Sequence, residues 1–299
     1  SAIEEIVLPE TLTEIKVSAF SYTKIKELVI PKSVKTIGEM KGNNGAFEYS
    51  DTETVTFKEG SAVENLGWYS FNQNKKLTTV RTLMNDGTYR NALPEGIEVI
   101  GKNAFAYSGI VTLEIPSTVT EISQMAFYSC KQLDTVTFAE NSNLAKFGIA
   151  VFASSGIRSI SFPKVVNEKG ETQRITFSTT GSSLFDSCLR LEEAYLSSSV
   201  QSIANVFPGS TVKKVTVEKD HPAFKTDEKG QLLTSVDGTN IILVLGEITG
   251  KYIIPDKVVQ ISDNAFQNQA SMTGVYIPDT VKYIGDYAFD SCYSLTDVE

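Results

Sequence analysis

Residues Ile110 to Cys130 read IVTLEIPSTVTEISQMAFYSC, the cleanest copy of a unit that recurs from one end of the chain to the other. The alternation in Leu113-Glu114-Ile115 predicts a half-buried strand. Pro116 ends that strand because proline has no N–H for the next ladder bond. One such unit cannot bury its apolar side chains alone, so the pattern predicts stacked coils. The residues that set the pattern are Leu113, Ile115, Pro116, Val119, Ile122, Ala126, Phe127 and Cys130.

The pattern recurs along the whole chain. Six prolines are each followed by an aliphatic residue three positions later and an isoleucine six positions later; they are Pro9, Pro31, Pro94, Pro116, Pro255 and Pro278. A phenylalanine closes each unit; these are Phe20, Phe47, Phe71, Phe105, Phe127, Phe152, Phe185, Phe207, Phe266 and Phe289. The base period is about 22 to 25 residues, inside the leucine-rich-repeat range. We therefore predict one domain over 1–299, a mainly β solenoid of about eleven coils.

The longest gap in the repeat lies between Phe207 and Phe266. Two β-prone runs, 231–236 and 241–245, flank Asp237-Gly238, which predicts a β-hairpin within an insertion near 218–250. We expect this hairpin to lie against the edge of the solenoid, because Leu243 and Leu245 need burial. Both chain ends fall on repeats without a polar cap, so we expect a fragment or mature product of a longer chain.

The repeat resembles the BspA-type (Treponema-type) leucine-rich repeat. Residues 110–130 carry the resemblance, together with their counterparts at 252–266 and 275–292. The resemblance implies a right-handed leucine-rich-repeat superhelix, an extracellular or cell-surface location, and adhesion to host or neighbouring-cell protein or glycan. The unit at 157–188 lacks the isoleucine six residues after Pro163, so we expect an irregular curve there.

Charge narrows the class of partner. The chain has 27 basic and 36 acidic residues, a formal net charge of -9. Nucleic-acid binding needs a basic face, so we predict no nucleic-acid partner and no docking on anionic lipid. No apolar run approaches the roughly 18 residues of a membrane span, so we predict no membrane insertion by this segment. The composition leaves the oligomeric state open.

The residue types that carry chemistry are sparse. Cys130, Cys188 and Cys292 each follow a repeat phenylalanine by three positions, which predicts core thiols. The nearest two lie about two coils apart, which is too far for a disulfide. His221 is the only histidine, and no zinc, nucleotide or calcium motif is present. We therefore predict no enzyme and no catalytic, cofactor or metal site.

The remaining candidate site is the outward side of the first strand of each coil. Its candidate ligand-facing residues are Thr112, Glu114, Thr135, Thr137, Ser159, Ser161, Tyr195 and Tyr276. One interpretation is that threonine simply suits an exposed strand. The other is a shallow face for protein or glycan, with Tyr195 and Tyr276 as anchors. We predict a surface or secreted binding module, and the alternative is a passive stalk that presents another domain.

Overall fold

The computed structural model describes residues 3–299. Over this range the chain winds into a β-solenoid of about twelve turns and contains no helix. The first half of the strands are β1 (Glu14–Ile15), β2 (Glu27–Val29), β3 (Thr36–Ile37), β4 (Thr54–Lys58), β5 (Asn65–Leu66), β6 (Thr79–Leu83), β7 (Tyr89–Arg90), β8 (Val99–Ile100), β9 (Thr112–Ile115), β10 (Glu121–Ile122), β11 (Thr135–Phe138) and β12 (Lys146–Phe147). The others are β13 (Ser159–Ser161), β14 (Thr176–Phe177), β15 (Glu193–Leu196), β16 (Lys214–Val217), β17 (Phe224–Thr226), β18 (Leu232–Ser235), β19 (Asn240–Val244), β20 (Gly250–Ile253), β21 (Gln260–Ile261), β22 (Met272–Tyr276), β23 (Tyr283–Ile284) and β24 (Asp297–Val298).

Each regular coil supplies two strands, and equivalent strands stack in parallel. The first strands form three sheets, ordered β2-β4-β6, β9-β11-β13-β15-β16 and β20-β22-β24. The second strands form the ladders β1-β3-β5-β8-β10-β12-β14 and β19-β21-β23. The register follows the repeat, since Leu113 pairs with Val136 and Ile100 pairs with Ile122. The predicted periodicity is therefore a true stacking of equivalent positions.

The repeat phenylalanines form a stack through the core. From Phe20 to Phe207 consecutive ring centroids lie 5.2 to 6.0 Å apart, with interplanar angles of 3 to 11°. The backbone follows the same step, because the Phe105 N–H donates to the Ala126 carbonyl at 2.9 Å. Phe266 and Phe289 form a separate pair at 4.9 Å. The phenylalanine stack is thus interrupted once, at the long gap in the repeat.

The three cysteines occupy one position in different coils, as predicted. Each thiol donates to the carbonyl of the phenylalanine one coil earlier; the pairs are Cys130 with Phe105 at 3.1 Å, Cys188 with Phe152 at 2.9 Å and Cys292 with Phe266 at 3.2 Å. All three are free thiols. Cys130 and Cys188 are buried, whereas Cys292, in the last coil of this chain, is only half-buried.

The long insertion folds as a hairpin, but its placement differs from the prediction. Strand β18 pairs antiparallel with β17 and with β19, and β19 then pairs in parallel with β21. The second hairpin strand is therefore a member of the second-strand sheet rather than an element lying against its edge. Side chains of β19 enter two cores, because Ile241 packs with the C-terminal cluster while Leu243 contacts the N-terminal one.

Candidate functional site

The predicted outward residues stand on the first-strand sheets. Seven of the eight lie on the five-stranded sheet β9-β11-β13-β15-β16, where Thr112, Thr135 and Ser159 are in register on consecutive strands. Tyr276 lies apart, on β22, with Ile253 as its register partner. The structure thus brings the hydroxyl residues together but does not join the two proposed tyrosine anchors.

The chemistry of that sheet is modest. Thr112 and Thr137 are exposed, while Glu114 is half-buried and paired with Arg90. Tyr195 and Tyr276 are each only 37% exposed, and burial followed by the charge of Glu218 raises the pKa of Tyr195. The role of these eight residues in ligand binding stays a prediction.

A larger feature lies where the phenylalanine stack is interrupted. The insertion supplies strands β17 to β19 but no closing turn with a phenylalanine. No phenylalanine ring therefore stacks between Phe207 and Phe266. The space between them is a cleft of about 1230 Å³. Its walls include the turn 207–213, the hairpin residues 242–247 and the turn 267–270. We call this feature the interruption cleft.

Amide side chains dominate the polar lining of the interruption cleft. They are Gln201, Asn205, Gln231, Asn240, Gln260, Asn264, Gln267, Asn268 and Gln269. Some of them hold the walls together. Gln269 donates to the Gly246 carbonyl at 2.9 Å and accepts from the Ile248 N–H at 2.9 Å. Asn240 accepts from the Ser262 hydroxyl at 3.1 Å.

Other amides of the cleft are unpaired within the described residues. The side chains of Gln260, Asn264 and Asn268 make no hydrogen bond to residues 3–299. Gln260 is in register with Asn240 on one side and Tyr283 on the other, so an amide, an amide and a phenol stand in a row on one face of the sheet. Tyr287 also lines the cleft and is 72% exposed. The cleft thus offers unused hydrogen-bonding groups beside exposed rings.

The charged lining of the cleft is mainly acidic. Lys213 is its one cation among the described lining residues, against the three carboxylates of Glu247, Asp263 and Asp286. This balance opposes an anionic ligand, because like charges repel across a partly desolvated cleft. The sequence predicted an insertion here but not a cleft, since the signal is a missing phenylalanine rather than a motif.

A second surface was also missed from the sequence. Tyr22, Tyr49 and Tyr107 each stand two positions after a repeat phenylalanine, on the exposed closing turns. The rings of Tyr22 and Tyr49 stack at 5.0 Å, and Tyr107 meets Tyr128 edge-on at 5.4 Å. Aligning the units on phenylalanine would have revealed this aromatic edge.

His221 is part of the scaffold of the insertion. Its Nδ1 accepts from the N–H groups of Ala223 and Phe224, both at 3.1 Å, so Nε2 carries the proton that it donates to the Ser197 carbonyl at 3.0 Å. Burial lowers its pKa. Within residues 3–299 there is no group of three His, Cys, Asp or Glu side chains placed to hold a metal ion.

The repeat geometry agrees with a known family. The model of the "BspA type Leucine rich repeat region (6 copies)" matches residues 1–89, 43–173, 171–227 and 248–299. The chain belongs to the BspA-type leucine-rich repeat family. The match leaves out the residues between 227 and 248, and these supply one wall of the interruption cleft.

Solved structures show the same fold. The pneumococcal vaccine antigen PcpA is 17% identical with a TM-score of 0.56, and the alignment covers 100% of this chain and 70% of that one. A leucine-rich repeat protein from Bacteroides ovatus is 20% identical with a TM-score of 0.58, covering 99% and 72%. A leucine rich cell surface protein from Faecalibacterium prausnitzii is 20% identical with a TM-score of 0.54, covering 94% and 71%. No curated protein matches the sequence. Residues 3–299 contain no helix able to cross a membrane.

Proposed function

We propose that this chain is a non-enzymatic binding module of a cell-surface or secreted protein, and that it holds its ligand in the interruption cleft. One observation carries the proposal: the cleft opens at the break in the phenylalanine stack, beside a segment that the family match omits. A repeat scaffold conserves its shape through the repeating residues, so a specific site is expected where the repeat is broken.

The surface location rests on similarity. One similar structure is described as a leucine rich cell surface protein and another as a vaccine antigen. The adhesion role rests on the cleft and on the exposed tyrosines. The proposed absence of catalysis rests on chemistry, because the one histidine accepts two backbone N–H bonds and, within residues 3–299, hydrogen-bonds only to backbone groups.

The proposal is tested by the binding of the labelled chain to epithelial cells, matrix proteins and glycan arrays. Gln260→Trp fills the cleft, and Asn65→Trp is the matched control, since Asn65 and Gln260 both open second strands of their coils. We expect saturable binding that Gln260→Trp weakens at least roughly tenfold and Asn65→Trp preserves.

Two results would contradict the proposal. Loss of binding in Tyr195→Ala or Thr137→Ala, with Gln260→Trp unaffected, would move the site to the first-strand sheet. No saturable binding to any surface would instead favour the passive stalk.

A further inference from the structure

We infer that the interruption cleft binds an uncharged oligosaccharide. This inference rests on the proposed function, in which the cleft is the ligand site, and it adds the chemical class of the ligand. The cleft volume of about 1230 Å³ exceeds the roughly 300 to 1,000 Å³ of small-molecule pockets, so an extended ligand fits it better than a single small molecule.

The first argument is hydrogen-bonding chemistry. A primary amide carries an acceptor oxygen and two N–H donors, and a sugar hydroxyl is likewise both donor and acceptor. The side chains of Gln260, Asn264 and Asn268 are unpaired within the described residues, so they can bond hydroxyls without breaking an internal contact. A cleft with several free amides therefore complements a polyhydroxyl ligand.

The second argument is the position of the rings. Tyr283 is 51% exposed and lies one strand along from Gln260, about 4.8 Å away. Tyr287 stands two positions before Phe289, as Asn264 stands two positions before Phe266, so a ring and an amide occupy equivalent positions on two adjacent closing turns. An aromatic face accepts the apolar C–H face of a pyranose while the phenol remains free to hydrogen-bond.

The third argument is charge. The three carboxylates and one ammonium of the lining disfavour sialylated, sulfated or phosphorylated ligands. A neutral oligosaccharide carries no such penalty.

A peptide ligand that adds to a sheet fits the backbone of β19 less well than it would fit an unpaired strand. Peptides that add to a sheet need a strand with an unpaired edge. Strand β19, which forms one wall of the cleft, is paired with β18 on one side and with β21 on the other, so this wall has no open edge. The hydrogen-bonding groups that this wall leaves open are therefore side chains.

The test uses the intact 299-residue chain on an array of neutral oligosaccharides printed beside their sialylated and sulfated forms and beside extended peptides. The best neutral oligosaccharide is then titrated by calorimetry against Gln260→Leu, Tyr283→Ala and the matched control Asn65→Leu. We expect a roughly tenfold loss of affinity in Gln260→Leu, about the effect of one neutral hydrogen bond, and no change in Asn65→Leu. Circular dichroism confirms that each variant is folded.

The outcomes separate the two levels of the proposal. Peptides or acidic glycans binding in the cleft, with loss in Gln260→Leu, would overturn the oligosaccharide but keep the cleft as a site. Neutral oligosaccharides bound equally by wild type, Gln260→Leu and Tyr283→Ala would overturn both. The absence of binding to every neutral oligosaccharide would also overturn the inference.

Discussion

At the scale of single residues, one phenylalanine per coil organises the core. Phe127 is fully buried and lies between Phe105 and Phe152, each at 5.5 Å. Phe20 stands at the end of the stack, is only partly buried, and has Phe47 as its stacked neighbour at 5.2 Å. Identical residues at identical repeat positions therefore differ in how many neighbours they pack against.

We expect Phe127→Ala to lower the free energy of unfolding by roughly 3 to 5 kcal/mol, because it empties a buried site between two rings. Phe20→Ala is the matched control and should cost less than half as much, since the Phe20 site is already open to solvent. Denaturant-induced unfolding measures both. A cost below about 1 kcal/mol for Phe127→Ala would show that the ring is not core.

The thiols provide a second test at this scale. Burial raises the pKa of all three thiols, that of Cys130 to about 11, but Cys292 is only half-buried and is therefore accessible to a reagent. We expect iodoacetamide at about pH 8 to label Cys292 and to leave Cys130 and Cys188 unlabelled, as read by mass spectrometry, because the thiolate is the reactive form. Rapid labelling of Cys130 in the folded chain would contradict its placement in the core.

The same pKa shift of Cys130 predicts that folding stability depends on pH in the alkaline range. The folded-state pKa of Cys130 lies above its unfolded value of 9.0. The contribution of this thiol to folding stability is therefore fully present below pH 9.0 and is lost as the pH rises toward about 11. Cys130→Ser should remove this part of the alkaline dependence.

At the scale of elements, neighbouring coils are tied together at strand ends as well as along strands. Glu218 follows β16 and accepts from the Lys164 ammonium at 2.7 Å and from the Ser198 N–H at 2.6 Å. These bonds lower the pKa of Glu218 from its ordinary value of 4.5 to about 2, and the bond from Lys164 has the largest effect. Three stretches of chain thus meet at one carboxylate.

We expect the folded chain to lose stability as pH falls from 4.5 toward 2, because protonating Glu218 removes the bonds that favour its charged form. Glu218→Gln should reduce the number of protons taken up on unfolding by up to one. Urea titrations at several pH values across that range measure this number from the slope of the unfolding free energy against pH. Glu228→Gln, at an exposed position of the insertion, is the control. An unchanged acid slope in Glu218→Gln would contradict the bonding described.

At the scale of the whole molecule, the solenoid has two apolar cores rather than one. The C-terminal cluster contains ten buried residues, from Ile241 to Ala288, and the N-terminal cluster is much larger. They meet at β19, whose side chains enter both. Because each coil contacts chiefly its neighbours, opening on one side of the insertion need not disrupt the other.

We expect hydrogen exchange to resolve two cooperative units, with 250–298 opening at a lower free energy than 97–136, because the smaller cluster buries fewer apolar side chains. Met272→Ala should speed exchange in the first range only. Phe127→Ala should do so in the second range only. Equal opening free energies for both ranges would instead show a single cooperative core.

Much of the architecture was predictable from periodicity. The prolines and phenylalanines recur at fixed offsets, and a residue that recurs must occupy the same place in every coil. That reasoning correctly predicted the phenylalanine stack, the shared position of Cys130, Cys188 and Cys292, and the Asp237-Gly238 hairpin. These features are local or repeat-based, so spacing along the chain is enough to determine them.

The candidate site was decided only by the tertiary structure. Gln260 and Tyr283 become neighbours through strand register, and the cleft beside them exists because the insertion joins the sheet at β19 without supplying a closing phenylalanine turn. The sequence determined the repeating core of this BspA-type chain, since burial demands apolar residues at every equivalent position. It could not determine the cleft, because a cleft is made by the relative placement of distant, non-repeating residues.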